Sequence, residues 1–129
     1  MTGGSELRIS RDGQGDAPRP LRHALDAFLD ALKIETGLRE DIVLAVGEAI
    51  SNAIEHGYCG GATGPVEIYA RAPGNQTVVI DVLDRGRFIE REGGTPGRGF
   101  GLRIMRAIAR SVSIDTQDGT RVSMVFDAG

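Results

Sequence analysis

Leu21, Leu25, Phe28, Leu29 and Leu32 recur at steps of three and four residues. That spacing predicts an amphipathic helix that stops before Gly37. A second helical pattern runs from about Leu38 to His56, with Ile42, Val43, Val46, Ala49, Ile50 and Ala53 on one face. Gly57 is placed to end it, because glycine takes up the left-handed terminal conformation cheaply. After the loop "GYCGGATG", Pro65–Ala72 and Thr77–Leu83 are rich in Val and Ile and flank "APGN", the chemistry of a hairpin. The stretch "RGRFIEREGGTPGRG" has neither period. Phe100–Arg110 is helical again through Leu102, Ile104, Met105, Ile108 and Ala109. Val112–Thr116 and Thr120–Phe126 read as strands joined around "QDG", and Glu6–Ser10 as a short edge strand. The order is β-α-α-β-β-loop-α-β-β. Strands in hairpins and helices in runs predict an α+β fold, a two-layer sandwich with about three helices on one face of a mixed, mostly antiparallel sheet.

A chain of 129 residues fits one domain spanning 1–129. Its 40% hydrophobic and 26% charged residues are ordinary for a soluble globular protein. With 15 basic against 18 acidic residues, the net charge of −3 offers no basic surplus for direct nucleic-acid binding. Cys59 is the single cysteine, so no internal disulfide can form and a reducing cytoplasm is the expected home. Its place in a glycine loop suggests no redox role. The start "MTGGSELRIS" lacks a basic stretch followed by an apolar one, so no signal peptide is expected, and no apolar run suits a membrane span. Glycine departs from the average, with 19 residues where roughly nine would be usual. Many fall between Gly57 and Gly101, which predicts special backbone geometry there.

Three stretches carry candidate chemistry. "EAISNAIEHG" sets Glu48, Asn52 and His56 four residues apart, with Glu55 near them. A solvated helix flank would look the same. In a cleft, however, Glu48 could take a proton from a hydroxyl, and the Asn52 amide oxygen is a neutral ligand suited to Mg²⁺. His56 reads as a cap or packing residue. "VVIDVLDRGRF" leaves its strand at Asp84, either as a turn former or as an acceptor for an exocyclic amino group, with Gly86 letting the backbone pass close to a base. Asp81 has the opposite side-chain parity and is given no role. "PGRGFGLRIM" sets Gly97, Gly99 and Gly101 at a helix start, where free amides and the dipole favour phosphate and Arg98 adds charge. The spacing is neither the dinucleotide fingerprint nor a P-loop.

Taken in order, E-x-x-x-N on a helix, D-x-G after a strand, G-x-G-x-G before a helix and G-T before a last strand resemble the GHKL ATP-binding fold. Within that fold, "LAVGEAISNAIEHGY" and "GRGFGLRIMRAIARSVSID" look most like the anti-sigma-factor serine kinases of bacterial partner-switching systems. The resemblance covers about Leu21 to Phe126. It implies that Glu48 is the general base, that Asn52 coordinates Mg²⁺ on the ATP phosphates, and that Asp84 reads adenine beside Gly86. It implies that Gly97, Arg98, Gly99, Phe100, Gly101 and Leu102 form the end of the ATP lid and the phosphate-facing helix. Thr120 would support the adenine pocket, and Arg22 matches, more loosely, a position that meets the protein partner. The implied partners are a STAS-domain antagonist and a sigma factor, with homodimerisation a further family expectation.

Two departures stand out. Phe88 occupies the fifth position of the usual D-x-G-x-G, and the lid from Arg87 to Gly97 is short. A short lid weakens exclusion of water, so a nucleotide-gated binding module with little kinase activity is the competing expectation. A histidine-kinase catalytic domain is disfavoured, because His23 lacks the partner helix of a dimerisation hairpin.

Overall fold

Pro18 and Pro20 belong to the first turn of a helix rather than to the loop ahead of it. Proline is accommodated there, where its missing N–H has no intrahelical acceptor to satisfy. The computed structural model describes residues 5–12, 18–54, 64–74, 76–85 and 100–128. Helix α1 (Pro18–Ala31) buries Leu21, Leu25 and Leu29, each one turn from the next. Burial of each such side chain is worth roughly 1.5–3 kcal/mol. At its end Lys33 adopts φ 63°, with Lys33 N donating to Asp30 O at 2.9 Å and Ile34 N to Leu29 O at 3.2 Å. These two bonds close a Schellman motif, and the buried Ile34 is tucked beneath it.

Helix α2 (Thr36–Asn52) begins two residues ahead of the expected start. The Glu35 carboxylate caps it by accepting from Leu38 N at 2.7 Å. Gly37, which the sequence pattern marks as a stop, leaves room for that carboxylate: a Cβ there would lie 2.9 Å from Glu35 Oε1. Ile42, Val46, Ala49, Ile50 and Ala53 are buried as the pattern predicts. The helix widens to a π-type turn at residues 53–54, a departure often found beside functional residues. Helix α3 (Phe100–Ile108) packs on α2, and α2 also packs on α1.

The strands are β1 (Ser5–Asp12), β2 (Pro65–Ala72), β3 (Thr77–Asp84), β4 (Ser111–Asp115) and β5 (Thr120–Asp127). They form one sheet in the order β1-β2-β3-β5-β4, and the mostly antiparallel sheet is antiparallel at every described pairing. Alternate residues point to the helices: Val66, Ile68 and Ala70, then Val78, Ile80 and Val82, then Val122, Met124 and Phe126, all buried. With α1 touching β1, α2 touching β3 and α3 touching β4, the three helices lie on this one face.

The other face carries a polar network that sequence reasoning did not find. Asp81 is only 4% exposed. It accepts from Ser123 Oγ at 2.5 Å and from Arg71 at 3.3 and 3.5 Å. The guanidinium groups of Arg71 and Arg8 lie 4.4 and 4.0 Å from the centre of the Tyr69 ring. Cross-strand neighbours on β1, β2, β3 and β5 are thereby tied in register. Among the described residues no helix is long and apolar enough to cross a membrane.

Candidate functional site

Glu48 and Asn52, one helical turn apart on α2, both point at the first turn of α3. A Cβ built on Gly101 would stand 3.3 Å from Glu48 Oε1, 3.3 Å from Asn52 Nδ2 and 3.7 Å from Asn52 Oδ1. Glycine at 101 is what lets the start of α3 come this close to both polar groups. The amides of that first turn have no intrahelical acceptor, and the positive end of the helix dipole lies beside the carboxylate and amide. Such an arrangement suits a phosphate chain with a bound divalent cation. Leu102 turns its side chain partly into the core.

A second polar pair lies at the end of the sheet. Asp84, the last residue of β3, is paired in register with Thr120, the first of β5, and both are buried, 7% and 4% exposed. The Thr120 hydroxyl is enclosed without a hydrogen-bond partner among the described residues. An orphaned buried hydroxyl is costly in a finished core and fits a site completed by a polar ligand. The placement depends on Gly119, which sequence reasoning did not assign. Gly119 has φ +77°, and a Cβ there would collide with the Asp84 carbonyl oxygen and approach Arg85 Cα to 2.9 Å. The only signal in the sequence was the "DGT" turn, whose proximity to Asp84 is a tertiary fact.

Both pairs therefore fit a nucleotide: one provides a glycine cradle beside a carboxylate and an amide, the other a buried carboxylate beside a buried hydroxyl that has no hydrogen-bond partner among the described residues. Were Mg²⁺ bound with the phosphates of such a ligand, the Asn52 amide oxygen would be a side-chain group at hand to hold it. A metal there would draw its remaining ligands from phosphate oxygens and water, the usual habit of Mg²⁺. Among the described residues no group of three or more His, Cys, Asp or Glu side chains is gathered for a metal.

Arg22 is exposed on α1 and lies next to α2, with its Cδ 3.5 Å from the Cβ position of Gly47. It lines a groove that Glu48 also lines. Thus the loosely matched Arg22 is brought to the same face as the candidate base. Gly86, Gly97, Arg98, Gly99 and the side chain of Phe100 lie outside the described residues, as do Glu55, His56, Gly57, Cys59 and the segment from Arg87 to Gly97.

The chain is similar in structure to the crystal structure of the RsbU and RsbW domains of Rv1364c from Mycobacterium tuberculosis. The TM-score is 0.76 at 27% identity, over 95% of this chain and 32% of that one, so this chain spans about a third of the length of the chain it matches. It also shares its fold with the histidine kinase domain of the blue-light activated histidine kinase EL346 from Erythrobacter litoralis, with a TM-score of 0.57 at 21% identity, over 70% of this chain and 45% of that one. The family model for the histidine kinase-like ATPase domain matches residues 14–126. The paired sites, the α+β sandwich and this match have one meaning: the chain belongs to the histidine kinase-like ATPase domain family.

Proposed function

We propose that this protein is an ATP-dependent serine/threonine protein kinase and anti-sigma factor of a bacterial partner-switching system, acting in the cytoplasm on a serine of a STAS-domain antagonist. The observation that carries the reading is the position of Glu48, whose carboxylate lies against Gly101, as the Asn52 amide does, and also lines an open groove. Binding a nucleotide needs no carboxylate at the phosphate end, where it repels; transferring a phosphoryl group to a hydroxyl benefits from one. The structural similarity to a protein with an RsbW domain supports the same reading.

In this reading Asp84 and Thr120 hold the adenine, with Gly86 beside them. The first turn of α3 and the residues from Gly97 to Leu102 face the phosphates, and Asn52 holds Mg²⁺. ATP supplies the phosphoryl group. Glu48 accepts the proton of the serine hydroxyl as its oxygen bonds to the γ-phosphorus and ADP departs. The phosphoserine then carries about two negative charges, enough to break an interface that opposes it with carboxylates or apolar surface. The sequestered sigma factor and the antagonist thereby exchange places on the kinase.

The competing reading, a nucleotide-gated binding module, rests on the short segment between Arg87 and Gly97. Incubation with γ-labelled ATP, Mg²⁺ and the STAS-domain proteins encoded beside this gene separates the two. Label on a serine of one partner is the expected result. ATP-dependent binding with no label on any partner would establish the module instead.

A further inference from the structure

The two edges of the sheet differ in charge. β1 carries Glu6, Arg8, Arg11 and Asp12 among its eight residues, and such charges keep an edge from pairing with another chain. β4, at the opposite edge, reads "SVSID", with its one charge, Asp115, at the end. Its five residues are an ordinary strand length, and β5 is its only strand partner among the described residues. The far side of β4 therefore keeps alternating N–H and C=O groups turned outward. Its apolar side chains are incompletely covered as well. Val112 and Ile114 are half-buried, although their partners on β5, Met124 and Val122, are 0% and 5% exposed. One further strand would complete both the backbone pairing and the apolar cover.

The flank above this edge is basic. Helices α1, α2 and α3 touch β1, β3 and β4 in turn, so α3 is the helix on this side of the sandwich. Arg103 and Arg106, three residues apart and both exposed, share its outward side, away from the buried Gly101 and Met105. Because Gly101 turns toward Glu48 and Asn52, the two arginines point away from the candidate nucleotide site. α3 contains no carboxylate, and Arg103 stands in its first turn, where the dipole disfavours a cation. Arg110, also exposed, follows where the chain passes from α3 into β4. It reaches Asp127 at 3.3 Å, but with the two side chains 63% and 61% exposed the pair is weak.

We propose that the free edge of β4 is a docking site for an extended, acidic segment of a partner protein, which adds to the sheet as a further strand. Its main chain pairs with the open backbone of β4. Carboxylates on its helix-facing positions reach Arg103 and Arg106, and their methylene stems cover Val112 and Ile114. Nucleic acid offers phosphates but no alternating donors and acceptors for a strand edge, and the net charge of −3 opposes it. A membrane is disfavoured because the apolar side of α3, with Met105 and Ala109, is already packed. A second copy joined through its own β4 would set two arginine-bearing helices side by side, like charge against like.

The probe is the fluorescein-labelled peptide Thr-Glu-Thr-Glu-Thr-Glu-Thr, bound to the full chain and read by fluorescence anisotropy. Its companions are the glutamine counterpart and two N-methylated forms, one methylated at the glutamates and the other at the threonines. Only alternate amides of an added strand face its neighbour. One N-methylated form should therefore bind at least about tenfold more weakly than the parent peptide, and the other within about twofold of it. The glutamine peptide should bind about three- to tenfold more weakly, as should the parent peptide to Arg103→Gln/Arg106→Gln with its melting temperature near the parent's. Amide hydrogen exchange over Ser111–Asp115 should slow in the complex. The peptide comparisons need no variant, so they stand even if the arginine variant fails to fold. No binding of the parent peptide, equal binding by the two N-methylated forms, or undiminished binding of the glutamine peptide would overturn the proposal. An oligothymidylate of the same charge that binds as tightly and competes would show an anion patch only and overturn strand addition. A dimer of this protein that the peptide dissociates in sedimentation would give the edge to a second copy and overturn the acidic partner.

Discussion

Gly101 and Glu48 stand so close that a single methyl group on the glycine would reach to 3.3 Å from the carboxylate Oε1. Residues more than fifty apart in sequence are thereby joined, and the candidate base is set against the phosphate-facing helix. Gly101→Ala should leave the fold intact, since alanine is the better helix former by about 1 kcal/mol. It should nonetheless lower phosphoryl transfer on the order of 10²-fold by displacing Glu48 and Asn52. A melting curve beside single-turnover kinetics checks both halves. Undiminished transfer would mean that the contact is incidental.

Thr120→Val separates binding from folding. The hydroxyl has no partner among the described residues, so its loss should leave the melting temperature of the free protein unchanged or slightly raised. Adenine nucleotides should bind about three- to tenfold more weakly, the worth of one neutral hydrogen bond. Calorimetric titration with ADP measures this directly, and equal affinity would remove Thr120 from the adenine site.

At Gly119 the expected effects go together. Alanine there meets both a left-handed backbone at φ +77° and the Asp84 carbonyl oxygen. Gly119→Ala should destabilise the fold by more than about 1 kcal/mol and weaken ADP binding by shifting Asp84. Urea denaturation and the same titration would show it.

Asp81 is predicted to matter for stability alone. Asp81→Ala leaves Ser123 and Arg71 without their acceptor on the open sheet face, which should cost about 1–3 kcal/mol in urea denaturation. Nucleotide affinity should not change.

Much of the architecture was readable wherever a period governs burial. The Leu21–Leu25–Leu29 steps and the alternation in β2, β3 and β5 each mark a face that must leave water. The Glu48–Asn52 pair was legible because one helical turn puts both groups on one side whatever surrounds them. Features made by distant parts of the chain were not. Asp81 finds Ser123 across 42 residues, and Gly119 meets Asp84 only because β5 pairs with β3. Helix α2 started early because Glu35 could cap across Gly37, a local exchange that reads as a stop when glycine is considered alone.

The most direct test of the central claim compares the parent with Glu48→Gln, both incubated with γ-labelled ATP, Mg²⁺ and the STAS-domain acceptor. Glutamine keeps the size of the side chain and removes its ability to take a proton. The account predicts that ATP still binds while label on the acceptor serine is lost. Transfer at the parent's rate by the Glu48→Gln protein would contradict it.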